Sequence, residues 1–87
     1  MDKKDIRKIL KNPSKDLTNI ALSYVNLTEK EKQVLEYCEI QERTEERTAE
    51  ILDISDRHLR KLKSSAFEKL NKVWSNNIFI ALLIKEE

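Results

Sequence analysis

Between positions 57 and 64 the sequence places Arg57, Arg60, Lys61 and Ser64 at steps of three, one and three residues. On an α-helix, at 100° per residue, these four side chains share one face and His58 lies at its flank. Arginine carries a planar fork of donors matched to a guanine edge or a phosphate, lysine a mobile point charge, and serine an adaptable hydroxyl. Such a face suits the base edges and phosphates of a nucleic-acid duplex. Charge on a helix face also serves plain solvation, and an exposed histidine needs no ligand, so the meaning of these residues rests on the elements that hold them.

The same wheel puts Leu59, Leu62, Ala66, Leu70 and Val73 on the opposite side, so a helix with one packing face and one donor face is expected from Asp56 onward. Glu68 returns an acidic group to the donor side two turns later, which ends the presenting part near Ser64 or Ser65. Upstream, Thr44 is a suitable N-cap, with Glu45 and Glu46 in the first turn where the helix dipole favours them. Thr48, Ala49 and Leu52 give that helix a small apolar face. Asp53, Ile54 and Ser55 form the turn, with Ile54 as an apolar plug and Ser55 as the next cap. Thr44 to Leu70 thus spells a short helix, a three-residue turn and a longer helix, a unit whose second helix can enter the major groove of DNA.

With no glycine, one proline and 38% charged residues, the chain lacks the turn glycines of hairpins and phosphate-cradling loops and is rich in helix formers. An all-α fold is expected, a small domain of about five helices. Its core must be thin, because a chain of 87 residues buries only about 60–65% of the surface its unfolded form exposes. A single cysteine, Cys38, and a single histidine exclude an internal disulfide and leave no zinc-ligand spacing, so no metal or cofactor is expected. No nucleophile–base pair or paired-carboxylate pattern suggests an enzyme. The opening MDKKDIRKIL has no apolar signal core, and the apolar run Ile78 to Ile84 is far below the ~20 residues of a membrane span. A cytoplasmic protein with no membrane partner is expected.

The formal net charge of +1 conceals a segregation: +3 over Met1 to Leu27, −5 over Thr28 to Asp53, +4 over Ile54 to Val73, and −1 beyond. The basic charge beside the turn therefore belongs to the second helix. Glu36, Glu39, Glu42, Glu45 and Glu46 read as a solvated acidic face, and Cys38, which shares a face with Val34 and Leu35, as a core thiol. Trp74 and Phe67 continue or border the apolar stripe and read as core.

Before the motif, Asp2 to Lys11 carries Ile6, Ile9 and Leu10 at helical spacing, and Pro13 stops that segment at Asn12. Asn12 as N-cap and Pro13 at the first position would start a second helix, with Leu17, Ile20, Ala21, Tyr24 and Val25 facing the core. Thr28 and Glu31 form a capping box for a third helix, Glu29 to Ile40. After Trp74, Ser75-Asn76-Asn77 interrupts the pattern, and IFIALLI follows, read as a short helix capped by Asn77 rather than a strand, since no partner strand is visible. That run is apolar on all sides. One side can cover the N-terminal helix while Ile78, Phe79, Leu82 and Leu83 remain for a second copy or another protein, and two copies joined there would fit a palindromic site.

Leu27 to Leu70 as a whole resembles region 4, the C-terminal promoter-reading region of sigma-70-type factors, and is similar to the ArpU and RinA group of phage transcription regulators. The residues that carry the likeness are Leu27-Thr28-x-x-Glu31, Val34-Leu35, Thr44 with Ala49 and Leu52, Ile54-Ser55, and Ala66 with Leu70. Asp53 stands where these families usually have glycine, and Arg47-Thr48 where they usually have Glu-Ile. The resemblance implies a phage or bacterial transcription factor that reads a promoter element, alone or beside RNA polymerase, with Arg57, His58, Arg60, Lys61 and Ser64 as the DNA-contacting positions. It covers about half the chain and leaves no room for the sigma regions that melt DNA. The expected organisation is one helical DNA-binding domain over 1–87, with an N-terminal segment 1–26, a helix-turn-helix core 27–74 and an apolar C-terminal helix 75–87. The competing reading is a protein-interaction module, a sigma-like adaptor or decoy that binds RNA polymerase or another transcription factor through the acidic surface and the apolar tail.

Overall fold

The computed structural model describes residues 1–85, with side-chain surroundings through residue 82. It is all-α: α1 (Lys3–Leu10), α2 (Lys15–Ser23), α3 (Glu29–Leu35) running into a π-helical turn (Glu36–Ile40), α4 (Glu45–Leu52), α5 (Asp56–Trp74) and α6 (Ile78–Lys85). Among the described residues there is no strand, and no helix is long and apolar enough to cross a membrane. The described chain forms two compact units, one of residues 27–66 and one of residues 1–26 with 67–85. α5 supplies residues 56–66 to the former and 67–74 to the latter.

In the unit of residues 27–66 the helix starts are written locally. Thr28 Oγ1 accepts from the Glu31 amide at 3.2 Å while Glu31 Oε1 accepts from the Thr28 amide at 2.8 Å, the reciprocal capping box expected for α3. Thr44 Oγ1 accepts from Arg47 N at 3.1 Å, and Ser55 Oγ from His58 N at 3.0 Å. Val34, Ala49 and Leu59 form the buried centre, with Cys38, Leu52, Ile54 and Leu62 packed on it. α4 ends in a Schellman turn: Asp53 N donates to Glu50 O and Ile54 N to Ala49 O, and Asp53 takes the left-handed conformation at φ 55°. Ile54, the residue after the left-handed Asp53, packs on the Val34–Ala49–Leu59 cluster, as an apolar residue at that place of the turn commonly does. Where Arg47-Thr48 stands in place of Glu-Ile, Thr48 is fully buried. Its hydroxyl donates to Thr44 O at 2.9 Å and accepts from Cys38 Sγ at 3.4 Å.

The helix expected over Glu29 to Ile40 is not uniform. Its last five residues widen into the π turn, closed by Gln41 N donating to Glu36 O at 2.9 Å, and Glu42 then turns left-handed at φ 56°. With no glycine available, a glutamate ends this segment. The Arg43 guanidinium lies 5.6 Å from the Tyr37 ring centroid and Arg43 Nε donates to Gln41 Oε1 at 2.8 Å, holding the chain as it leaves the turn.

In the other unit α1 packs on α2 and α6. Ile6, Ile9, Leu10, Ala21, Val25, Phe67, Leu70, Trp74 and Ile80 are its buried apolar residues, so Phe67 and Trp74 are core as expected. The Trp74 indole N–H donates to Ala21 O at 2.8 Å, which satisfies a polar atom that would otherwise be costly to bury. α2 departs from expectation in two ways. Asn12 does not cap it: its Oδ1 accepts from Ser14 N at 2.9 Å, and Ser14 Oγ caps the helix at Leu17 N, so α2 begins at Lys15. Its buried side is Thr18, Ala21 and Val25, whereas Ile20 and Tyr24 face outward. The Thr18 hydroxyl, buried and donating to Ile9 O at 3.1 Å, fixes that rotation. α6 forms as expected, with Asn77 Oδ1 accepting from Phe79 N and Ile80 N at 2.9 and 3.2 Å.

Candidate nucleic-acid interface

α5 is held from both ends of its first half. Ser55 caps it, Leu59 is fully buried, Leu62 packs on the Val34–Ala49–Leu59 cluster, and Ala66 is fully buried. These contacts fix the helix about its axis, and Arg57, His58, Arg60, Lys61 and Ser64 are all exposed in consequence. Arg57, His58 and Lys61 also line, with Ser55, one open hollow at the start of the helix. His58 therefore shares a surface with the basic residues, and Ser55, read from sequence only as a cap, lies in the same hollow. Arg60 Nε donates to Asp56 O at 3.3 Å, which lays its guanidinium along the helix.

Two groups near the donor face turn inward. Ser65 Oγ donates to Glu31 Oε2 at 2.6 Å, so the presenting surface stops at Ser64 and the capping-box carboxylate of α3 is tied to α5. Lys63 lies 3.5 Å from Glu39 and 3.0 Å from Glu45, bridging α5 to the π turn and to α4. Burial by itself would lower the Lys63 pKa, but the hydrogen bond that its ammonium donates to Glu45 and the negative charge of Glu39 and Glu45 outweigh it, and the pKa is raised above its ordinary value. The acidic face expected from sequence is corrected here: Glu39 is 5% exposed and faces this lysine rather than solvent. The 100° step already sets Lys63 some 200° from Lys61, but only the fold supplies the carboxylates that receive it.

A second open hollow, lined by Glu46, Glu50, Asp53, Asp56 and their neighbours, lies on the other side of Ser55. The surface at the turn is thus divided between a hollow lined by carboxylates and one lined by Arg57, His58 and Lys61. Of the C-terminal residues singled out from sequence, Ile78, Phe79 and Leu82 are exposed, and the side chain of Leu83 lies outside the described residues.

No curated protein and no solved structure matches the chain. The model of one family, sigma-70 region 4, matches residues 25–72. That span takes in α3, α4, the turn and nearly all of α5, and so every element that positions the donor face. Region 4 is a DNA-binding helix-turn-helix region, and with more than half its length matched this chain belongs to the sigma-70 region 4 family.

Proposed function

We propose that the protein is a transcription regulator that reads a promoter element by laying the first half of α5 in the major groove. The observation that carries this is the sorting of α5: Arg57, His58, Arg60, Lys61 and Ser64 face out, while Lys63 and Ser65 are engaged inside. Cations that were merely solubilising the helix would not need such division. Arg60 supplies a bidentate fork for a guanine edge, Lys61 and Arg57 meet base or phosphate, and Ser55 and Ser64 bound the contact.

The test is binding to duplexes selected from a random pool. Binding of the wild type weakens steeply with salt, and Arg60→Ala with Lys61→Ala lowers affinity about 10–1,000-fold and flattens the salt dependence by about one to two units of slope. Circular dichroism of the variant stays helical, since both residues are exposed. Undiminished affinity in the folded double variant would remove these residues from the interface.

The acidic hollow at Glu46, Glu50, Asp53 and Asp56 favours a second reading, a sigma-like adaptor docking on a basic surface of RNA polymerase. Under it, polymerase is retained by the protein while no duplex binds at low salt. Charge reversal at Glu46 and Glu50 then abolishes retention, and changes at Arg60 and Lys61 do not.

A further inference from the structure

The carboxylate of Glu31 serves two helices with its two oxygens. Oε1 accepts from the Thr28 amide at 2.8 Å and completes the cap of α3, while Oε2 accepts from Ser65 Oγ on α5 at 2.6 Å. The residue is 2% exposed. A cap needs one acceptor, which glutamine supplies as well, so capping alone does not account for a buried carboxylate that reaches a second helix. On the wheel of α5, Ser65 lies about 90° to one side of the stripe formed by Leu59, Leu62 and Ala66, and Lys63 about 70° to the other. These are the two edges at which the packing stripe gives way to the donor face. Each edge is tied to another element: Ser65 to α3 through Glu31, and Lys63 to the π turn and α4 through Glu39 and Glu45. All of these residues belong to the unit of residues 27–66.

We infer that Glu31 is a positioning residue for DNA reading, its bond to Ser65 setting the rotation of α5 that aims Arg60 and Lys61 at the groove. The inference rests on α5 being the helix that reads DNA. Apolar contacts decide which side of α5 turns inward; being non-directional, they set the finer angle less sharply than hydrogen bonds do. That angle matters at the outer face. A rotation of about 20° moves a side-chain tip on a helix by about 2 Å, enough to break a base contact confined to about 2.7–3.2 Å. Phosphate contacts by mobile lysines tolerate the same rotation, so Glu31 acts on sequence preference rather than on general affinity for DNA.

The experiment compares Ser65→Ala, Glu31→Ala, Glu31→Gln and Thr28→Ala with wild type on a duplex selected by wild type and on an unrelated duplex. Ser65→Ala keeps the cap and loses the tie to α5. Thr28→Ala weakens the cap and keeps the tie. Ser65→Ala and Glu31→Ala are expected to lower the ratio of selected to unrelated affinity about 5–150-fold, the share one bidentate base contact carries, with the salt slope unchanged. Glu31→Gln, which retains an acceptor for Thr28 and a donor for Ser65, stays within about threefold of wild type. Thr28→Ala unfolds at lower temperature but keeps the wild-type ratio. Without DNA, amide residual dipolar couplings of α5 relative to α3 and α4 shift in Ser65→Ala and not in Thr28→Ala. A folded Ser65→Ala with the wild-type ratio overturns the inference and leaves α5 as the reader. So does a Thr28→Ala protein whose ratio falls as far as that of Ser65→Ala, since lost stability would then explain both. A wild type that binds no duplex removes the reading of α5 itself, and the inference with it.

Discussion

Two backbone positions show how a chain with no glycine makes sharp turns. Glu42 and Asp53 both sit in the left-handed region, at φ 56° and 55°. A Cβ there costs about 1–2 kcal/mol, which asparagine and aspartate offset in part through local hydrogen bonding. Asp53 belongs to that tolerant group and closes a complete Schellman turn; Glu42 does not. Glu42→Gly is therefore expected to raise stability by about 0.5–1 kcal/mol, after allowing for the extra freedom glycine brings to the unfolded chain. Asp53→Gly should stay within about 0.5 kcal/mol of wild type, and Asp53→Val should lose about 1–2 kcal/mol. Urea unfolding of the three variants measures this, and a stable Asp53→Val protein would contradict the account of the turn. The left-handed place at Asp53 was legible through the resemblance, because aspartate stands where those families usually have glycine. That at Glu42 was not, because it follows from the widening of α3 into a π turn, which no residue type announces.

At the level of elements, what could be read in advance was what depends on near neighbours. The caps at Thr28, Thr44, Ser55 and Asn77 each join residues two or three apart, so type and spacing suffice. The division of α5 into two faces follows from the helical period alone. The face of α2 was misread because its rotation is decided elsewhere, by the Thr18 hydroxyl at Ile9 O and the Trp74 indole at Ala21 O, fifty-three residues away in the latter case. Lys63 is of the same kind, since its partners come from two other elements. Lys63→Met keeps the length of the stem and removes the cation that faces buried Glu39. A fully buried pair broken this way loses about 3–5 kcal/mol, and with Lys63 one-fifth and Glu45 nearly half exposed the expected loss is about 1–2 kcal/mol. Because the folded pKa lies above the ordinary value of 10.5, the ammonium favours folding. Its contribution is fully present below that value and is lost as pH rises through the folded pKa. Unfolding free energies measured from pH 8 to 12 should fall more steeply at the alkaline end for wild type than for Lys63→Met. Parallel curves would mean that the ion pair adds nothing.

For the whole molecule, the donor face and the elements that position it lie in the unit of residues 27–66, and the other unit is built from both chain ends. One chain carries one such face, so a single copy is expected to read one short element, and only chains paired about a two-fold axis would need that element twice in inverted orientation. Within the element, Arg60→Ala is expected to relax preference at the base that Arg60 meets by about 1–3 kcal/mol, whereas Arg57→Ala at a phosphate would weaken all duplexes alike. Selection from a random duplex pool by wild type and each variant separates the two outcomes, and an Arg60→Ala protein that selects the wild-type element unchanged would place Arg60 away from the bases.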